Sequence, residues 1–434
     1  MFGYYLDLAL RSLGRNRILT ALMVLAIGLG IGASMTMLTV LHVMSGDPLP
    51  GRSGQLFYPH LDPRPLSAKG DKNGPDPSAN LTWLDAANLL HAHRAQRQAA
   101  MVGGNVAIHP GQAGLRPFFQ TGHYVTADFF EMFAVPFRAG AGWTQEQDEQ
   151  HARVVVLNGE LARKLFGDTS GIGKTVRLKD TDFRVIGVLN DWYPQPAFYG
   201  DATDRAFGKP DEFFLPLATA MDLNFASTGN MSCWATGGDE RTSEYCTWLQ
   251  FWVQLRSPAE VHAYLQYLDD YWRQQQANGR LPRPVDAKLY GLMAWLDHMK
   301  LIPDDVRLQL WLALGFLGVC MVNIMGLLLA KFMRRSGEVS VRRALGARRR
   351  DIFLQFGIES AVIGVAGGML GLGLAQLGLW SVRQRPDDYA KLAQMDVSML
   401  LGTLALAVFA SVLAGMLPAW RACRITPALQ LKTQ

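Results

Sequence analysis

Four stretches of this chain carry no formal charge, and a long polar segment separates the first from the other three. Residues 18–44 hold no Asp, Glu, Lys or Arg over 27 positions. A helix of that length rises roughly 40 Å, enough to cross a bilayer with some tilt. Residues 308–330, 360–382 and 397–419 are three further charge-free runs of 23 residues each. Open sheets cannot satisfy their backbone in lipid, and no run alternates like a barrel strand, so all four are expected to be helices. With the third helix carried back over its flanking turn, the predicted spans are 18–44, 308–330, 352–382 and 397–419.

The first run far exceeds the apolar core of a cleaved signal and has 17 residues before it, so it is expected to stay as an anchor. Basic residues set the orientation. Lys331, Arg334, Arg335, Arg342, Arg343 and Arg348 to Arg350 lie in the loop 331–351, between the second and third spans. The turn 383–396 has only Arg383, Arg385 and Lys391, offset by Asp387, Asp388 and Asp396. That asymmetry puts the turn outside, and both the N-terminal segment 1–17 and the tail 420–434 inside. Residues 45–307, 263 in number, then face the exterior or periplasm and are long enough for two subdomains.

Within that segment, Gly46-Asp47-Pro48 and residues 69–77 read as loops. Thr82 with Asp85, and Ser257-Pro258-Ala259-Glu260, match helix starts; the second helix is expected to reach Asn278 and stop at Gly279. Residues 153–157, 175–178, 183–189 and the alternating 248–255 are strand candidates. The fold class expected is therefore an α-helical membrane domain of four spans, with a large α+β extracytoplasmic domain between helices one and two.

Composition narrows the function. A chain with 49% hydrophobic and 18% charged residues is neither disordered nor a disulfide-stapled miniprotein. A net charge of +5 over 434 residues is mild, so no nucleic-acid partner is expected. Cys320 falls inside the second span and Cys423 beyond the fourth. Cys233 and Cys246 both lie in the external segment, 13 positions apart, and are expected to pair in an oxidising compartment. Gly171-Ile172-Gly173-Lys174-Thr175 resembles a phosphate loop, but the position five before Gly173 is Asp168, and a strand rather than a helix follows. It is read as a turn between a helix at 160–166 and a strand. His91 and His93 point to different faces of a predicted helix, and no histidine spacing suits a metal. No catalytic residue and no cofactor of its own are expected. Gly28 with Gly32, Gly364 with Gly368, and Gly367 with Gly371 are spaced for close helix packing in lipid.

Two features lie on the side expected to be cytoplasmic. Phe2, Leu6, Leu10 and Leu13 form one stripe of an amphipathic helix, with Asp7, Arg11 and Arg15 on another, suited to the membrane lipid surface. Between spans two and three, Glu338 and Arg342 are spaced as a helical pair, and Gly346 suits a helix stop. The small apolar insert Ala344-Leu345-Gly346-Ala347 marks a helix presented to a protein partner rather than a merely solvated loop.

The stretch 337–360, running through Asp351-Ile352-Phe353-Leu354-Gln355-Phe356-Gly357-Ile358-Glu359-Ser360, resembles the cytoplasmic loop of MacB/FtsX-type ABC transporter permeases. Leu417-Pro418-Ala419-Trp420-Arg421 through Ile425-Thr426-Pro427-Ala428-Leu429 resembles the end of these proteins. Val125-Thr126-Ala127-Asp128-Phe129-Phe130, Val154 to Leu157, and Val185-Ile186-Gly187-Val188 resemble their external domain. Residues 45–80 and 197–245 match nothing distinctive.

The resemblance implies a permease of the bacterial inner membrane, working as a dimer with a second copy or a paralogue. ATP and Mg would be bound by a separate ABC ATPase subunit rather than by this chain. Glu338, Arg342, Arg343, Ala344, Leu345 and Gly346 would form the helix that couples to the ATPase. Closure of the ATPase would move the periplasmic domain for export or efflux, with a periplasmic adaptor as a further partner. Two other readings stay open: a lipoprotein-releasing permease, and an FtsX-like scaffold that controls cell-wall hydrolases.

Overall fold

A computed structural model of the chain describes residues 3, 7–8, 11–12, 14, 16–66, 80–110, 116–167, 171–200, 206–235, 239–302, 304–335, 337, 341–342, 345–384, 395 and 397–424, with backbone alone at 398, 417 and 421–424. The chain divides into two compact units, Met1–Ser45 with Ile302–Gln434, and Gly46–Leu301. The first long helix is α1 (Arg17–Ser45). The second unit then runs β1 (Leu56–His60), α2 (Trp83–Ala92), β2 (Arg97–His109), β3 (Phe118–Val125), α3 (Phe129–Met132), β4 (Phe137–Gly140), α4 (Gln145–Glu149) and β5 (Val154–Leu157). It continues through α5 (Gly159–Phe166), β6 (Thr175–Leu178), β7 (Thr181–Leu189), β8 (Phe213–Pro216), α6 (Leu217–Asp222), β9 (Ser227–Thr228) and β10 (Ser232–Cys233). It closes with β11 (Cys246–Thr247), β12 (Gln250–Gln254), α7 (Pro258–Ala277), β13 (Lys288–Gly291) and α8 (Leu292–His298). The remaining long helices are α9 (Asp304–Met333), α10 (Arg349–Arg383) and α11 (Val397–Arg424).

In the second unit one mixed sheet of eleven strands, in the order β13-β1-β12-β2-β3-β8-β5-β7-β4, connects the segment from end to end. β6 and β9 pair off this path, both with β2. Where length alone suggests two subdomains, the strands form one continuous sheet with an apolar core on each face. The period-2 geometry of a strand sorts the side chains. Ala100 and Val102 of β2, Val155 and Leu157 of β5, and Phe251 and Val253 of β12 enter one core with residues of α2, α5, α6 and α7. Their neighbours Ala99, Met101, Val154, Val156 and Trp252 enter the other, beneath α3 and α8. β12 is accordingly buried at all five positions, and its expected alternation of exposed and covered residues is absent because helices cover both faces.

Local chemistry sets the helix ends. Thr82 Oγ1 accepts the Asp85 amide at 3.1 Å, and Ser257 Oγ accepts that of Glu260 at 3.2 Å. The buried Asp85 carboxylate then takes Tyr271 OH at 2.6 Å and Arg280 Nη2 at 3.0 Å, which ties α2 to α7. His93 lies just beyond α2, as its left-handed cap, rather than within the helix. Gly173 donates its amide to Val185 O at 2.8 Å, and Thr175 opens β6, so the phosphate-loop lookalike turns into a strand. Cys233 and Cys246 are joined as a disulfide across the β10–β11 pair.

The four long helices of the first unit each have the length and apolarity of a membrane span. Their buried hydroxyls turn back onto backbone carbonyls, Thr39 on Met35 O and Thr403 on Met399 O at 2.8 and 2.7 Å, as a medium without water requires. α1 and α10 interlock reciprocally. A Cβ on Gly28 or Gly32 would come within 2.8 Å of Leu370 or Leu374. A Cβ on Gly367 would come within 2.5 Å of Ile27, and one on Gly371 within 3.1 Å of Ile31. Gly364 and Gly368 face α11 instead, where a Cβ would meet Ser411 and Ala407. Gly367→Leu is predicted to lower the thermal midpoint of the full chain in detergent, at an overpacking cost of about 1–3 kcal/mol. Gly373→Leu should leave it in place, since a Cβ there meets nothing within 4 Å; equal shifts for the two would refute the close-packing account.

Candidate functional site at the basic-loop end of the helix bundle

α10 begins well before its charge-free run. Asp351 Oδ2 accepts the Arg348 amide at 3.3 Å at its start, and the helix then presents Ile352, Phe356 and Glu359 on one buried stripe. Glu359 is only 1% exposed. A carboxyl group so deeply buried is costly to leave without hydrogen-bonding or charged partners.

Three partners converge on it. Lys331, itself 3% exposed on the last turn of α9, brings Nζ to 2.5 Å from Oε1. Arg335 brings Nη1 to 3.5 Å from Oε2. Ser12, ahead of α1, donates its hydroxyl to Oε1. Beside this cluster the rings of Phe332 and Phe356 stack with centroids 4.0 Å apart, so an apolar wall lines a site holding two cations and one carboxylate. A buried ion pair of this kind adds little net stability over an apolar replacement, yet removing one partner alone is costly. Its clearest effect is to fix which turn of α9 lies against which turn of α10.

The loop that follows α9 is tethered to the same helix. Arg342 Nη1 donates to Gln355 Oε1 at 3.1 Å. The amides of Leu345 and Ala347 return to the carbonyls of Val341 and Arg342, each at 3.0 Å, closing a helical turn. It ends at Gly346, whose φ of +99° lies in the left-handed region that favours glycine. Leu345 stands 84% exposed at the tip of this turn. Among the six residues expected to couple to a partner, Arg342, Leu345 and Gly346 are thus placed together, while Glu338, Arg343 and Ala344 lie outside the described residues. In the N-terminal segment, Arg11 Nη2 pairs with Asp7 Oδ2 at 2.8 Å; the expected stripe Phe2, Leu6, Leu10 and Leu13, with Arg15, also lies outside them. Among the described residues no group of three His, Cys, Asp or Glu could hold a metal.

Sequence reasoning counted Lys331 and Arg335 as loop charges and passed over Glu359 and Ser12. A signal was present: Lys331 immediately follows one charge-free run and Glu359 immediately precedes the next. Opposite charges at the facing ends of consecutive spans sit at one depth.

Four apolar helices, an α+β domain inserted after the first, and a basic loop tethered between the second and third define a membrane permease. Residues 20–271 match the family model of the MacB-like periplasmic core domain, and residues 311–427 that of the FtsX-like permease C-terminal region. The chain belongs to the MacB/FtsX-like family of ABC transporter permeases, and is a membrane protein with an extracytoplasmic domain. It is 25% identical to the macrolide export ATP-binding/permease protein MacB of Chlorobium luteolum over 99% of this chain and 60% of that one. It is 23% identical to the pyoverdine export ATP-binding/permease protein PvdT of Pseudomonas fluorescens over 98% of this chain and 59% of that one. The chain thus spans about three fifths of the length of these two relatives. The crystal structure of the periplasmic region of MacB from Actinobacillus actinomycetemcomitans covers 58% of this chain and 97% of its own, at 15% identity and a TM-score of 0.36.

Lys331→Ala is predicted to destabilise the full chain by about 3–5 kcal/mol, because Glu359 would lose its nearest cation. The double variant Lys331→Met with Glu359→Leu should recover most of that loss in the same thermal unfolding measurement. No loss in the single variant would show that Glu359 does not depend on Lys331.

Proposed function

We propose that the chain is the permease of an ABC exporter in the bacterial inner membrane, with its basic loop and termini in the cytoplasm and Gly46–Leu301 in the periplasm. An ABC ATPase subunit carrying ATP and Mg docks on the turn around Leu345. The observation that supports this most directly is the exposed Leu345 on a turn tethered to α10 by the Arg342–Gln355 bond. A tethered apolar tip can transmit a push, whereas a free loop would absorb it. Movement of the turn would pass to α10, through Lys331 to α9 and through Ser12 to the segment before α1. α1 and α9 are the helices whose far ends connect to the periplasmic domain, at Ser45 and Ile302.

Coupling would therefore be mechanical, by displacement of helices rather than chemistry on this chain. A second permease, identical or paralogous, and a periplasmic adaptor complete the assembly in this reading. Export is favoured over lipoprotein release by the macrolide and pyoverdine export functions named for the two relatives.

The test is purification from native membranes with mass spectrometry of bound partners, on wild type and on Leu345→Asp. Wild type is expected to retain an ABC ATPase. The variant should insert normally but lose at least about tenfold of that recovery, equivalent to roughly 1.4 kcal/mol of binding. Undiminished recovery from Leu345→Asp would remove this turn as the docking point. Absence of any ATPase from cross-linked wild type would overturn the exporter reading.

A further inference from the structure

α9 carries two seams side by side. Ala313, Leu317, Cys320 and Ile324 are buried, and α1 covers part of this seam: a Cβ on Gly30 would come within 3.0 Å of Leu317 and 3.2 Å of Cys320. The residue before each of these four lies about 100° around the helix and is exposed. Leu312, Phe316, Val319 and Asn323 thus form a second seam, which the exposed Gly326 and Ala330 continue. Its steps are four, three, four, three and four residues, the spacing with which one helix winds on another. Phe316, Asn323 and Ala330 fall at a positions, and Leu312, Val319 and Gly326 at d positions. A Cβ on Gly326 meets nothing within 4 Å, so the seam is open within one copy.

Asn323 is out of place in such a seam. Along the helix it lies roughly 18 Å from Trp311 and roughly 12 Å from Lys331, the aromatic and charged residues at the two ends of this span. That puts it near the middle of the hydrocarbon layer. Its side chain is exposed and makes no hydrogen bond among the described residues. No other span exposes a polar side chain at that depth among them. Lipid tails can cover the apolar members of the seam, but they offer no donor or acceptor to an amide. A polar residue kept there points to a protein partner.

The chemistry selects a second copy of this chain. Two copies inserted in one orientation bring their α9 helices together in parallel, with both Asn323 side chains at one depth. An amide both donates and accepts, so two of them related by a two-fold axis satisfy each other reciprocally. A single asparagine at an a position is also what fixes register and strand number in parallel coiled coils. Any other helix would have to supply a polar group of its own at that depth. We propose that the exposed seam of α9 is a homodimer interface, a parallel pair of α9 helices held in register by Asn323 on Asn323. The proposal rests on the part of the reading above that requires a second permease, and it makes that permease an identical chain. It does not depend on ATPase docking at Leu345, and its test uses neither nucleotide nor ATPase.

Two differently tagged copies of the full chain are co-expressed, each carrying Cys320→Ala and Cys423→Ala. Only the disulfide-bonded Cys233 and Cys246 then remain as native cysteines. Single cysteines are introduced at Val319→Cys and Gly326→Cys on the seam, or at Gly318→Cys, exposed at nearly the depth of Val319 but about 100° away. Native membranes are oxidised with copper phenanthroline, and the products are separated without reductant and identified by tag and by mass. A disulfide joining the two tagged copies is expected from Val319→Cys and from Gly326→Cys, and its loss from Gly318→Cys. Adding Asn323→Leu to Val319→Cys should lower the joined fraction about threefold at low expression, and Asn323→Gln, which keeps the amide, should restore it. Thermal midpoints in detergent confirm that each variant is folded. Equal product from Val319→Cys and Gly318→Cys would overturn the proposal, as would product in Asn323→Leu as abundant as with asparagine. No product from either seam position, or a disulfide to a different protein instead of the second tag, would overturn it too. Intact seam cross-links in a chain that recovers no ATPase would leave this interface standing and fail the exporter reading alone.

Discussion

A carboxylate with almost no solvent contact has to find positive charge, and at Glu359 that requirement organises the basic-loop end of the bundle. Lys331 has to end α9 at the level where Glu359 lies on α10, and Arg335 has to stay within one further turn. Ser12 brings the segment before α1 to the same atom. Sliding α9 by one helical turn, about 5.4 Å, would strand the carboxylate in an apolar wall. The aromatic stack of Phe332 on Phe356 sits one residue beyond Lys331 and three before Glu359, so packing and charge select the same register. Glycine contacts serve the neighbouring pair in another way: Gly28, Gly32, Gly367 and Gly371 leave room on α1 and α10 for Leu370, Leu374, Ile27 and Ile31 of the facing helix.

Much of this was legible in the sequence because lipid imposes a simple rule on charge. The spans stood out as charge-free runs, and the structure moves only their ends. α9 starts at Asp304 rather than 308, and α10 starts at Arg349 rather than 352. Helices continue into polar surroundings, where composition no longer marks them. Gly28 and Gly32 could be marked as packing residues from their spacing. Which helix each glycine faces could not, since spacing fixes a stripe and not its partner. The Glu359 cluster went unread because it joins residues from three separated segments, and a charge beside an apolar run is ordinarily taken as the edge of a span.

The extracytoplasmic unit was harder to read, for a different reason. β5, β6 and β7 were anticipated because branched and aromatic residues are dense there. β2 was not, although it is the longest strand and pairs with β12, β3, β6 and β9. Its centre is Gly103-Gly104-Asn105, a poor strand sequence, and the glycines are needed because a Cβ on Gly104 would fall within 2.2 Å of the Tyr124 ring. β8 is four residues ending in proline, buried on both faces.

The early start of α10 carries a mechanical consequence. From Arg349 to Glu359 the helix runs roughly 15 Å before the charge-free run begins. With Glu359 held by Lys331 and Arg335, that stretch extends roughly three helical turns beyond its charged anchor. A tilt of about 10° would carry its tip by roughly 3 Å, more than the ~1–2 Å shifts with which helices switch many assemblies. Arg342 holds the neighbouring turn to this stretch at Gln355, four residues from Glu359.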